Sequence, residues 1–407
     1  MRARHVAHAL ASFPVYSAAF LSPYELVLGG GGGTTKSGIK NKLRLYAMDE
    51  TLNLKLVDET ELGSGEDAPM SMAAHPEERK VVCGVNSAVD KVQKGENQNC
   101  RFYNIERMRL KFDTMRGTLS MKDEEDYQRV TAFSPDGRYL AVAGTQELTV
   151  FTFPELKPTS IRLDKGEIYD VSFSDSLLVV TTKLNLLVYS LPSSPSPPSS
   201  NSEKGKSKET STSSDADPAP YTLLLTIASP KLPGAGPDAI ASFRASAFHP
   251  LEPRVFYTVL NATLPRKKGV KTAPKRAYIV KWHVNADGWK ADRVRKVGDK
   301  GVASFDISPN GKWIAFGSSD CSVGVLDSWT LVPLLTILKA HELPSTMLRF
   351  NPSSSLLVSG SADSTVRVVS IPNGLGDSSW PTVLIVIMGV FAVLFAIVLQ
   401  MYIAGVL

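Results

Sequence analysis

"VTAFSPDGRYLAVAGTQELTVFTF", Val130 to Phe153, decides how the rest of the chain is read. An apolar strand runs into a Ser-Pro-Asp-Gly turn, a few polar residues follow, and a second apolar strand begins. Alternating or continuous runs rich in β-branched residues, bounded by turn residues, are strand chemistry. The arrangement recurs in "SFDISPNGKWIAFGSSDCSVGVLD", Ser304 to Asp327, and in "LRFNPSSSLLVSGSADSTVRVVS", Leu348 to Ser370. Weaker copies are "MAAHPEERKVVCGVN", "VSFSDSLLVVTTKLNLLVYS" and "SAFHPLEPRVFYTVLNA", and "SAAFLSPYELVLGGGGG" makes the seventh.

The copies lie about forty to seventy-five residues apart, a spacing that suits four-stranded units arranged radially. The expectation is an all-β fold, a seven-bladed β-propeller over residues 1–371. The last copy holds three clear strands. "RARHVAHAL" near the N-terminus can supply the fourth and close the ring, which removes an exposed edge. The repeats resemble WD-repeats in degenerate form. "SADSTVRVVS" ends in Val369-Ser370 where a strict repeat has Trp-Asp, and Ala340-His341 stands for the usual Gly-His. His341 and Asp363 then read as structural hydrogen-bonding residues.

The 407 residues are 43% hydrophobic and 21% charged, enough for a large core. A net charge of +5, with lysines spread along the chain, argues against a nucleic-acid partner. Three scattered cysteines form neither a disulfide framework nor a CxxC metal pair, and the histidines lack ligand spacing. The acidic run "KDEEDY", Lys122 to Tyr127, reads as a solvated face. "LDKGEIYD", Leu163 to Asp170, has carboxylates at loop spacing but no partner for acid/base work.

Two insertions interrupt the repeats. Residues 192–220 are rich in Ser and Pro, too polar to offset their ordering entropy, and are expected to be a disordered loop. "PRKKGVKTAPKR", residues 265–276, is basic and reads as a solvated hairpin tip or a contact for anionic headgroups. His5, His8, Ser12 and Pro14 break up the N-terminus, so no signal peptide is expected. After a short linker, 372–381, the segment 382–407 contains no charged residue. As a helix it would extend about 39 Å, enough to cross a bilayer core of about 30 Å. A single C-terminal transmembrane helix with a cytosolic N-terminal domain is the expectation.

The first repeat carries "GGGGGTTKSGIKNKL", Gly29 to Leu43. A phosphate-binding P-loop needs glycine before Lys-Ser and a helix after it. Here Thr35 precedes Lys36-Ser37, and the alternating "NKLRLYAM" that follows is a strand pattern. A Rossmann fingerprint fails for want of a βαβ unit. A hairpin at this place needs only two to five residues. The excess suggests a loop that projects and binds, its bare backbone open to a hard cation or a partner's polar atoms.

A degenerate seven-bladed propeller, a glycine-rich loop in blade one ending in Gly38-Ile39-Lys40-Asn41-Lys42-Leu43, and one C-terminal span coincide. Together they resemble the endoplasmic-reticulum exchange factors that activate the Sar-type small GTPase of the COPII coat. The resemblance covers the whole chain and implies the following. The protein is a WD-repeat guanine-nucleotide releasing factor in the endoplasmic-reticulum membrane, acting in ER-Golgi protein transport. A potassium ion is held by backbone carbonyls of the segment Gly29, Gly30, Gly31, Gly32 and Gly33. Gly38, Ile39 and Asn41 face the GTPase, Ile39 as an apolar wedge and Asn41 as a hydrogen-bonding group toward the loop or the partner. Nucleotide release breaks no bond, so no acid, base or nucleophile is needed. The alternative is a membrane-tethered WD-repeat scaffold without exchange activity.

Overall fold

The Ser-Pro-Asp-Gly turn is closed in a way that its relatives copy. The Ser134 hydroxyl accepts the Tyr139 N–H at 2.9 Å, and Gly137, at φ +72°, donates its N–H to the Ser134 carbonyl. Ser308 treats Trp313 and Gly311 alike, with Gly311 at φ +70°. In "NPSSS", Asn351 Oδ1 accepts the Leu356 N–H and the Asn351 carbonyl accepts that of Ser354. A polar side chain thus caps a tight turn between the first two strands of a blade, which is why the motif repeats.

The computed structural model describes residues 3–35, 37–120, 123, 125–192, 221–266, 272–285, 288–376 and 380–403. Among these residues the strands form seven four-stranded antiparallel sheets. Blade 1 is β2 (Val15–Ser22), β3 (Glu25–Gly30), β4 (Lys42–Met48) and β5 (Leu54–Glu61). Blades 2 to 6 take their strands from residues 71–116, 130–162, 168–228, 240–298 and 302–337. Blade 7 takes three strands from 345–370 and its outer strand from β1 (His5–Ala9), which pairs His5 with Val369 and Ala9 with Thr365. The N-terminal segment closes the ring, as its sequence suggests.

Apolar residues of neighbouring blades interleave. Val15 and Leu28 of blade 1 pack with Val358 and Val368 of blade 7, and Leu43 and Leu45 with Val81 and Tyr103 of blade 2. The innermost strands are tied across blades by hydroxyl groups, Ser71 to Thr131 at 2.8 Å and Ser304 to Ser345 at 2.6 Å. Two half-buried carboxylates add to this ring. Asp170 accepts the Ser246 N–H and Asp306 that of Phe350. They share an axial cavity of about 400 Å³ with Arg244 and Arg349. In blade 7, His341 is buried, its Nδ1 2.7 Å from the Thr365 hydroxyl and Nε2 2.8 Å from that of Ser359; Asp363 accepts from Thr365. These two residues are structural.

Contacts divide the chain into two compact units, 1–371 and 372–407. The first carries its own core and a closed ring. It also holds a short helix, α1 (Val89–Lys94), in blade 2. The second contains α2 (Trp380–Ile403). Among the described residues, no helix is long and apolar enough to cross a membrane. Of the Ser/Pro insertion, 193–220 lies outside the described residues, as do 267–271 of the basic segment, Lys122 and Glu124 of the acidic run, 377–379 of the linker, and 404–407. The acidic run is not wholly a solvated face: Asp126 is buried, and its carboxylate accepts the Thr145 N–H and hydroxyl.

Candidate functional site

β3 and β4 pair from Glu25↔Ala47 to Gly30↔Lys42, so residues 31–41 form the connection at one face of the propeller. The five-glycine run is therefore divided. Gly29 and Gly30 are not loop residues: they lie inside β3, paired with β2 on one side and β4 on the other. Both belong to a sheet, so the loop itself begins at Gly31. Packing requires glycine at these positions, since a Cβ on Gly29 would lie 2.7 Å from Pro69 Cβ. The loop glycines are Gly31, Gly32 and Gly33. Gly31 sits at φ +143°, and a Cβ there would fall 2.5 Å from Asn41 Cα and 2.7 Å from the Lys40 carbonyl. The outgoing and returning legs cross at that point, closer than any side chain permits.

Asn41 fastens the crossing. Its Oδ1 accepts the Gly33 N–H at 2.9 Å, and its Nδ2 donates to the Gly33 carbonyl at 2.9 Å. The carboxamide thus pairs with one peptide unit as a strand partner would. The second Nδ2 hydrogen goes to the Glu66 carbonyl at 2.7 Å. Asn41 is buried, and both its donors are used within the chain. Of the two roles expected for it, bonding to the loop is the one observed, and its side chain does not face outward.

Glu66 extends the brace into blade 2. Its carboxylate receives both terminal nitrogens of Arg101 at 2.7 Å each and the Gly63 N–H at 2.7 Å. Burial pushes this carboxyl up, but the Arg101 hydrogen bonds and charge outweigh it and hold it below the usual range. Its neighbour Asp67 is different. It accepts the N–H groups of Ala68 and Thr34, and its Oδ1 would stand 3.2 Å from a Cβ on Gly33. Burial pushes it up, and among the described residues no cation pairs with it. Its charge, after burial, also raises the hydroxyl of Tyr16 at the channel mouth.

The tip is open. Thr34, Thr35, Ser37, Gly38 and Lys40 are exposed, and Ile39 is half-buried. Gly38, at φ +76°, has free space where a side chain would go. Thr35 donates to the Gly32 carbonyl at 2.6 Å and Ser37 accepts the Ile39 N–H. Lys40 pairs with Glu61 at the surface. Lys36 lies outside the described residues.

The donors around Gly31–Gly33 are hard oxygens: peptide carbonyls, the Thr34 and Thr35 hydroxyls, and the unpaired Asp67 carboxylate. That chemistry fits an alkali cation. Among the described residues no cluster of three His, Cys, Asp or Glu side chains could hold a metal. A cation here would rest mainly on backbone. Sequence reasoning missed Glu66, Asp67 and Arg101, which reach the loop only through the packing of blade 2 on blade 1.

A family pattern described as "WD domain, G-beta repeat" matches residues 293–327 and 332–370. The chain is 23% identical to the "Guanine nucleotide-exchange factor SEC12" of Candida glabrata, over 90% of this chain and 72% of that protein. It is 25% identical to "SEC12-like protein 2" of Arabidopsis thaliana, over 83% and 73%. It is 24% identical to the "Putative guanine nucleotide-exchange factor SED4" of Candida glabrata over 91% of this chain, which spans 33% of that relative. By repeat, ring and relatives, the chain is a Sec12-like WD-repeat propeller.

Proposed function

We propose that this protein is a guanine-nucleotide exchange factor for a Sar-type small GTPase, acting at the endoplasmic-reticulum membrane to start COPII coat assembly. The observation that carries the reading is the loop 31–41. It is far longer than its hairpin needs, braced at its base by Asn41, and bare at its tip, in a chain similar to SEC12 along most of its length.

Gly38 and Ile39 would meet the GTPase beside its nucleotide cleft, Ile39 as the apolar wedge. Asn41 would act by holding the loop. The Gly31, Gly32 and Gly33 carbonyls with Asp67 would hold potassium, whose positive charge would offset the buried carboxylate and stiffen the turn. Exchange would follow from differential binding: the loop favours the opened, nucleotide-free GTPase over the GDP-bound form, and the population shifts toward release. Reversing a 1:99 equilibrium takes a preference of about 10⁴-fold, or about 5.5 kcal/mol. No bond in the nucleotide changes.

The tether would be the uncharged stretch 382–407, and residues 1–371 would then face the cytosol. Residues 1–371 are to be mixed with a Sar-type GTPase carrying fluorescent GDP and excess GTP. Release well above the spontaneous rate supports the reading. Release no faster than spontaneous makes the protein a scaffold.

A further inference from the structure

We propose that the rim of blade 5 docks the propeller onto a bilayer surface bearing anionic lipid headgroups. The third and fourth strands of this blade, Lys275–Asn285 and Gly288–Gly298, carry seven basic residues and one acid, Asp292. The whole chain nets only +5. Lysines that look dispersed along the sequence are gathered by the hairpin onto one edge.

Most of this charge is free. Asp292 is taken by Lys281 at 3.3 Å, a buried lysine that also lies 4.5 Å over the Trp329 ring. Lys296 pairs with Asp299. Among the described residues, no ion pair engages Lys275, Lys290, Arg293 or Arg295. Lys275, Lys290 and Arg293 are exposed, and Arg295 is half-buried. The register sets Arg293 directly opposite Lys281, a like-charge pair that costs stability in a sheet. From Lys290 to Lys296 the cations run along about 20 Å of outer strand.

Protection of a sheet edge is the plainer account of charged rim strands. Three of the six other blades do without it, and the outer strands of blades 1 and 2 mix acids with their bases. The outer strands β1, Leu223–Ala228 and Pro333–Ile337 contain no lysine, arginine, aspartate or glutamate. A convex strand edge with flexible cationic stems suits a flat, fluid anionic surface. Single-stranded nucleic acid is held instead in a groove lined with stacking aromatics. Blade 5 also stands across the ring from blade 1, three blades away by the shorter path. Docking there leaves the glycine loop free.

The test uses residues 1–371, which hold a complete core and no α2. The unit is sedimented with phosphatidylcholine vesicles with and without phosphatidylserine, at low and at moderate salt. Each surface cation near such a membrane contributes roughly fivefold to partitioning. Wild type is expected to bind the anionic vesicles in a salt-sensitive way. The variant Lys275→Gln/Lys290→Gln/Arg293→Gln/Arg295→Gln is expected to lose binding by several hundredfold, roughly the product of four such factors. A control, Lys55→Gln/Arg109→Gln/Arg116→Gln on the rims of blades 1 and 2, is expected to bind as wild type. Thermal unfolding checks that all three are folded. Equal binding by the blade 5 variant overturns the proposal, as does equal loss by the control. Indifference to phosphatidylserine, or tighter retention of single-stranded RNA than of anionic vesicles, also overturns it. The readout involves no GTPase, so it stands or falls apart from exchange activity.

Discussion

Replacing Asn41 with alanine removes three hydrogen bonds at once: two with the Gly33 peptide and one to the Glu66 carbonyl. Each is worth about 0.5–1.5 kcal/mol net, so local order in the loop should fall by about 2–4 kcal/mol. Global stability should fall by less, about 1 kcal/mol, because the freed groups lie near the surface and can turn to water. Asn41→Asp should be worse than alanine. A carboxylate can still accept the Gly33 N–H, but it faces the Gly33 and Glu66 carbonyls with nothing to donate. Hydrogen exchange reads the loop directly. The Gly33 amide should exchange at least about tenfold faster in Asn41→Ala, while amides of β3 and β4 stay protected. GDP release from a Sar-type GTPase should fall in the same order, wild type, alanine, aspartate. Unchanged Gly33 protection in the alanine variant would refute the clamp. Full exchange activity with a loosened loop would separate loop order from function.

Three other outcomes follow from the packing. Arg101→Met leaves Glu66 a stranded, largely buried carboxylate and should cost about 3 kcal/mol in urea unfolding, part of it recovered by adding Glu66→Gln. Asp306 is raised to about 6, by burial first, with Arg349 and two N–H groups opposing. Between about pH 4 and 6 the folded state holds a proton that the unfolded chain has lost, so stability contributed by this group falls as pH rises through that window. Asp306→Asn keeps an acceptor for the Phe350 N–H, and its effect relative to wild type should grow more favourable by up to about 3 kcal/mol from pH 4 to pH 7.5, measured by urea unfolding at each pH. Cys83 and Cys100 are fully buried, with the Cys83 thiol pushed up to about 12 by that burial, whereas Cys321 is part exposed. A thiol reagent at neutral pH should therefore modify one cysteine in the native protein and three after unfolding.

The repeat was legible because its turn is local: Ser134, Pro135, Asp136 and Gly137 carry the geometry within five residues. The closing strand was legible because His5–Ala9 has the strand pattern that blade 7 lacks. The division of the glycine run was not. Glycine is a poor strand residue, and what holds Gly29 in β3 is the absence of room beside Ser17, Pro69 and Met72. Nor could the sequence show that Asn41 turns inward, since its partners at Gly33 and Glu66 are set by how the two legs cross. Arg101 lies 35 residues from Glu66 and bears no motif. Asp126 sits in a run of charges that composition alone assigns to solvent, and only the fold of blade 3 brings Thr145 to it.

If exchange works as proposed, the loop 31–41 is the part of the propeller that meets the GTPase. Ser37 lies in the loop, while Tyr24, also exposed, lies in the turn at the other end of β3 and therefore at the opposite face. A photo-reactive residue at Ser37 should capture the nucleotide-free Sar-type GTPase, and excess GTP should abolish the capture; the same residue at Tyr24 should capture nothing. Capture from Tyr24 instead, or capture from Ser37 that ignores nucleotide, would contradict the account.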